Sequence, residues 1–216
     1  MSDMQGRTTA THVFDIARRE MPHVALAAAC RAATDRAGHL TGHGYALHAP
    51  DASLIDPACP DAVVRIVETV VDPALSALGL VLSRVETLAA SRLEPKAEIA
   101  IIALRAGLLA RLLDLAFEHL RERESFGRKT LQHQLVKARF SDTGAFLGQL
   151  REEVGLSQDR GRIDGAERLH NGIDTQTAQA AKLMGGHGLR AGSIHGLEYA
   201  SGLLRAIFAA RSHSGI

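Results

Sequence analysis

The chain has 216 residues, 46% of them hydrophobic, enough for one sizeable core or a core with a small appendage. Its 25 Lys and Arg nearly balance 24 Asp and Glu, leaving a formal net charge of +1. That balance argues against nucleic acid and anionic membrane surfaces as partners. With no Trp, two Tyr and six Phe, the chain is also poorly equipped to stack on bases. Cys30 and Cys59 form no Cys-x-x-Cys pair and have no metal spacing around them. They fit the reduced cytoplasm. The amino terminus lacks a basic start followed by an apolar core, so it does not read as a signal peptide. The most apolar stretch, Ile99 to Leu120, is interrupted by Arg105, Arg111, Asp114 and Glu118 and is no membrane span.

In chain order, a first helix is predicted over Thr11 to Arg36, around the run Val24 to Ala29. Gly38 to Pro60 carries Gly, Pro, His and Asp and reads as loop. Asp61 and Asp72-Pro73 are helix start signals, and helical pattern continues to about Ser91. From Pro95 the composition is rich in Ala, Leu, Arg and Glu. Arg111, Asp114, Glu118 and Arg121 recur every three or four positions, one wet stripe on a helix otherwise suited to burial. Arg105, set in an apolar run, is expected to pair across helices. A second helix is predicted from Thr130 to Val154, with Leu131, Leu135, Ala138, Ala145 and Phe146 at core spacing. A third spans Gly165 to Met184, and a last one Ile194 to Arg211. Short connections imply an all-α antiparallel four-helix bundle over residues 95–216, preceded by a helical and loop region over 1–94.

The chemistry concentrates around Arg123-Glu-Ser-Phe126-Gly127, His133-Gln134 and Lys182-Leu-Met-Gly185-Gly186-His187-Gly188. A pyrophosphate-bearing cofactor needs a fixed cation with forked donors, which Arg supplies. It needs close backbone approach, which paired glycines allow. It needs a donor-acceptor amide for hydroxyls and ring edges, which Gln supplies. Each piece alone also reads as an ordinary helix end.

Together these residues resemble the carboxy-terminal helical domain of the acyl-CoA dehydrogenases. The similarity runs over about residues 95–211 and includes Gly107 and Asp114 within the first helix. In that family an Arg-x-x-Phe-Gly turn, a Gln on the next helix and a Gly-Gly-x-Gly turn hold FAD across a subunit interface. By this resemblance Arg123 and Ser125 face the pyrophosphate and Phe126 packs on the cofactor. His133 and Gln134, with Lys182, Gly185 and Gly186, hold the adenine half. The partners implied are a second copy of the chain or a fuller acyl-CoA dehydrogenase-like subunit. The substrate class implied is an acyl thioester.

Departures from the family pattern are specific. Lys182 stands where the family has Gln. The family's Arg-Asp pair falls on Ala200-Ser201. Its catalytic Glu falls on Ala209, which cannot abstract a proton. The alternative base position on the first helix is Ala97, and Glu98 lies one residue further, rotated by about 100°. Glu98 is therefore a weak substitute base, and a solvated first-turn carboxylate is its plainer role. The residues before 95 do not read as the amino-terminal and middle β domains of a full family member. Two other readings stand beside the flavoprotein subunit. One is a bundle that only assembles or scaffolds. The other is an enzyme of altered chemistry using His187, Lys182, Glu98 and Asp142 in the old cofactor cleft. His39, His43 and His48 have spacings a metal could use, but the surrounding glycines favour a solvated loop with no metal. Asp142 falls on the predicted apolar stripe, as a buried base or, more simply, as a cap or Arg partner.

Overall fold

The computed structural model describes residues 9–86, 93–125, 127–185 and 194–209. Its helices are α1 (Ala10–Arg19), α2 (Pro22–Thr34), α3 (Pro73–Ser76), α4 (Pro95–Arg121), α5 (Gln134–Arg160), α6 (Ala166–Lys182) and α7 (Ile194–Phe208). The class is mainly helical, as the composition implies.

Helix α4 is the axis of the molecule. Ile99 through Ala110 are buried without a break, so the helix meets neighbours on every side. Helices α1, α2, α5, α6 and α7 all pack against it. Its wet stripe emerges only toward the carboxyl end, where Glu118 and Arg121 are exposed. The two mid-helix residues that carried part of the family resemblance both serve to dock α1. An added Cβ on Gly107 would lie 2.5 Å from the Ala17 Cβ and from the Phe14 carbonyl oxygen. One turn and more further on, Arg18 donates twice to Asp114, at 2.7 and 2.8 Å.

The amino-terminal region departs from the sequence expectation in three places. The single helix expected over Thr11 to Arg36 is two, because Pro22 cannot continue a helix and holds Met21 extended (φ −60°, ψ 143°). The stretch expected as loop forms β1 (His39–Gly42), β2 (Tyr45–His48) and β3 (Leu54–Ile55). The stretch expected as helix up to Ser91, described here to residue 86, forms β4 (Ile66–Val70) and β5 (Val81–Val85), with only the four-residue α3 between them; residues 87–91 lie outside the described residues. Asp72 does cap α3, accepting from the Ala74 and Leu75 N–H groups, so that start signal holds. These strands make one five-stranded sheet in the order β3-β1-β2-β5-β4. His43 (φ +48°) and Gly44 (φ +81°) form the two-residue turn between β1 and β2, the left-handed geometry that suits a hairpin. The sheet rests on α7, where Gly42 touches the backbone of Ile207 too closely to admit a Cβ.

In the bundle, α5 is rotated from its predicted phase. Its buried residues are Thr143, Leu147, Leu150, Val154 and Ser157. Leu135 is 83% exposed, Ala138 and Ala145 are exposed and Phe146 is half-buried, so the expected core stripe is mostly not the core. Asp142 is exposed too, and no buried base arises there. The helix carries apolar or small residues on two sides, and periodicity alone does not choose between them.

Two glycines separate steric from propensity effects. Alanine is favoured over glycine inside a helix by about 1 kcal/mol. Gly148 in α5 has nothing within 4 Å of an added Cβ, so Gly148→Ala should stabilise by about that amount. Gly107→Ala should instead destabilise by roughly 1–3 kcal/mol, because α1 must move away. Urea unfolding of the two variants checks the opposite signs.

Candidate cofactor-contacting end of the bundle

The Arg123 turn is built from its own backbone outward. After α4 the Arg123 N–H donates to Leu120 O, at 3.2 Å. Strands β6 (Glu124–Ser125) and β7 (Arg128–Lys129) then pair as a short hairpin, with Gly127 at φ +74°. Thr130 N–H closes it on Arg123 O at 2.8 Å. His133 Nε2 donates to the Ser125 carbonyl at 3.0 Å and ties the hairpin to the start of α5. Arg123 is exposed and donates to His119 Nε2 at 2.8 Å. The neighbouring carboxylates are engaged elsewhere, Glu122 with Arg121 and Lys129, and Glu124 with Lys129.

Helices α5 and α6 run antiparallel. Thr143 donates to Gln176 at 2.8 Å, Arg139 donates to Gln179, and Gly172 accepts the Phe146 ring against its backbone. Continued by one turn, this register sets Gln134 at the end of the bundle where α6 finishes in Lys182 and the chain reaches Gly185. Gln134, Lys182 and Gly185 are all exposed, and Gly185 has φ +53°. Arg123, Ser125, His133, Gln134, Lys182 and Gly185 therefore share one end of the bundle. Phe126, Gly186 and His187 lie outside the described residues. This donor set suits an anionic, hydrogen-bonding group such as a dinucleotide: a guanidinium without a carboxylate partner among the described residues, an amine and an exposed amide.

The positions that the resemblance sets against the family's Arg-Asp pair and Glu are Ala200-Ser201 and Ala209. Ala200 and Ser201 are both buried. Ser201 accepts Arg105 Nε through its carbonyl at 3.0 Å and its hydroxyl at 3.2 Å. Arg105, fully buried, also donates to His170 Nδ1 and Asp174, and Arg205 donates to Asp174 and Asn171. Arg105 thus does pair across helices, tying α4 to α6 and α7. Burial, then the Arg105 and Arg205 charges, push His170 down to about 3. Ala209 follows the end of α7, its N–H donating to Arg205 O at 2.8 Å, and offers only a methyl group.

Ala97 is 5% exposed and Glu98 half-buried on the first turn of α4. Ala97 lines a cavity of about 210 Å³, which the sequence did not suggest. Its apolar wall includes Leu40, Ile55 and Leu93, and its rim carries Arg36, Glu94 and Lys96. The sequence holds no local signal for it, because the walls come from α2, β1, β3 and α4, up to sixty residues apart. His39 and His48 are buried in the sheet and His43 occupies the hairpin turn, so the three do not converge. Among the described residues no group of His, Cys, Asp or Glu is arranged to hold a metal, and no helix is long and apolar enough to cross a membrane.

Residues 88–154 match the family model of the acyl-CoA dehydrogenase C-terminal domain. The segment that builds α4, the Arg123 turn and most of α5 is of the acyl-CoA dehydrogenase type. Among solved structures, butyryl-CoA dehydrogenase from Megasphaera elsdenii aligns with a TM-score of 0.65 at 10% identity, covering 94% of this chain and 79% of that one. PigA with FAD and proline aligns with a TM-score of 0.55 at 14% identity, covering 90% and 75%. The ChsE4-ChsE5 complex from Mycobacterium tuberculosis gives 0.50 at 18% identity, covering 78% and 53%. No curated protein sequence matches this chain. Coverage of 94% extends the likeness in fold well beyond the bundle, into the amino-terminal helices and sheet.

The Arg105 network makes a pH prediction. The folded pKa of His170 lies below its unfolded value near 6.5, so its contribution is fully present above pH 6.5 and is lost as pH falls toward 3. The urea midpoint should therefore drop over that window. His170→Asn, which keeps an acceptor for Arg105, should remove this share of the drop.

Proposed function

We propose that this chain is an acyl-CoA dehydrogenase-like flavoprotein subunit that lends FAD contacts across an oligomer interface. The observation that carries the reading is the grouping of Arg123, Gln134, Lys182 and Gly185 at one exposed end of the bundle. Arg123 and Ser125 would meet the pyrophosphate, and Phe126 would pack on the cofactor. Gln134, Lys182, Gly185 and Gly186 would hold the adenine half. His133, tied to Ser125 O, would act there by holding the turn in shape.

The overall reaction would be α,β-desaturation of an acyl thioester. FAD, when bound, supplies the acceptor for the hydride lost in such a reaction. The chain's own residues bind and orient. The base that removes the α-proton would come from the partner, because Ala209 and Ala97 carry no carboxylate. The exposed Leu135, Ala138 and Ala145 on α5 favour association, with a second copy or with a fuller subunit. The same face would also serve a bundle that only assembles, a reading favoured by Lys182 and by the buried Ala200-Ser201.

The visible absorption spectrum and the mass in solution, measured on the purified protein, test the two readings. FAD in hundredfold excess over its Kd should stabilise the folded oligomer by about 2.7 kcal/mol, read as a raised Tm. Arg123→Ala should abolish that rise without lowering the Tm of the FAD-free protein. An oligomer indifferent to FAD, alone and with an acyl-CoA dehydrogenase-like partner, would leave the scaffold reading.

A further inference from the structure

The hairpin that follows α4 has two faces of different chemistry. Its register pairs Glu124 with Lys129 and Ser125 with Arg128. The Thr130 N–H donates to Arg123 O at 2.8 Å, which extends that register by one pair and sets Arg123 opposite Thr130. Side chains alternate between the two faces of a strand, and directly opposed residues share a face. Glu124 and Lys129 therefore lie on one face, and Arg123, Ser125, Arg128 and Thr130 on the other. Directly opposed residues such as Ser125 and Arg128 have Cβ atoms about 4.5–5.5 Å apart, and diagonal ones such as Arg123 and Arg128 about 7–8 Å.

The faces also differ in how their charges are met. On the first, Lys129 Nζ lies 3.6 Å from Glu124 and 3.8 Å from Glu122, and Arg121 holds Glu122 as well. The carboxylates that flank Arg123 in the sequence are thus both engaged by Lys129. On the second face Arg123 donates to His119 Nε2 at 2.8 Å. A guanidinium cannot accept, so this nitrogen does, and an imidazole in that state orients Arg123 without cancelling its charge. Arg128 is exposed and has no ion pair among the described residues. The residues outside the description hold a single carboxylate side chain, Asp3.

Two guanidiniums on one face repel each other, and an anion between them converts that repulsion into two attractions. Each offers a planar fork of donors that matches the oxygens of one phosphate group. The Ser125 and Thr130 hydroxyls between them can donate as well. The amino end of α5, which no side chain caps, is tied to this hairpin through His133 Nε2 and Ser125 O and adds exposed N–H groups. We propose that Arg128 is a second diphosphate-binding residue, meeting one phosphate of a nucleotide diphosphate while Arg123 meets the other. The inference rests on the flavoprotein reading for the role of Arg123, and extends it by a residue that reading does not use.

The test is titration of the full chain with inorganic pyrophosphate at constant ionic strength, followed through the arginine Nε–Hε signals in nitrogen-15 NMR. Arg123→Lys and Arg128→Lys assign the two signals. Both should move along one saturable curve, while Arg151 and Arg168, paired with Asp15 and Glu153, stay in place. Arg128→Ala should weaken this binding by about tenfold and leave the Tm of the ligand-free chain unchanged. A saturable shift of Arg123 alone, no saturable shift of either, or equal affinity in Arg128→Ala would overturn the proposal. The Tm response to FAD separates it from the reading it extends. An FAD response abolished by Arg123→Ala but intact in Arg128→Ala would overturn the proposal and leave the flavoprotein reading in place. Pyrophosphate bound at both arginines of a chain indifferent to FAD would support the proposal and end the flavoprotein reading.

Discussion

Everything in this molecule is arranged around the burial of one helix. Helix α4 has apolar residues on all sides over three turns, so it is stable only where neighbours surround it. That requirement recruits α1 and α2 from the amino-terminal region as well as α5, α6 and α7. The one charge inside this run, Arg105, would be costly alone. Ser201, His170 and Asp174 satisfy it, and each comes from α6 or α7. The charge thereby specifies which helices lie next to α4 and in what register.

The same arrangement divides the molecule chemically. At the carboxyl end of α4 the chain turns through Arg123 and exposes cations and amides that no carboxylate of the described residues neutralises. Ala200 and Ser201 on α7 are both buried, and Ser201 serves Arg105. One end of the bundle is thus exposed and carries donors, while the Ala200-Ser201 stretch of α7 is part of the core.

The sheet adds a second structural theme. Its hairpin packs on α2 and α7, so it is tied to the same α4-centred core. It buries polar groups in a row, and among the described residues His39 has no hydrogen-bond partner for either ring nitrogen. A buried imidazole left in this state costs stability that an apolar residue would not. The sheet thus buries an imidazole with unpaired nitrogens, whereas in the bundle the buried His170 serves Arg105.

The helices of the bundle and the turn that follows α4 were legible in the sequence because their signals are local. Helical periodicity in α4, the Arg123 to Gly127 turn and the glycine after α6 each lie within a few residues. The sheet was not legible. Its strands are five residues long or shorter and are paired across gaps of up to about forty residues, as between Tyr45 and Arg84. The phase of α5 was also hidden, since Leu135, Ala138 and Ala145 are as apolar as the face that α4 and α6 cover. By itself the sequence determined the likeness of residues 88–154 to the acyl-CoA dehydrogenase C-terminal domain and the kinds of residue at its turns. Only the tertiary structure decided which apolar face is buried, that Arg105 is neutralised by Asp174, and that Thr69, Ser83 and His48 touch. The reason is physical: periodicity records what a helix can bury, whereas burial, ion pairing and hydrogen bonding across elements depend on which partner arrives.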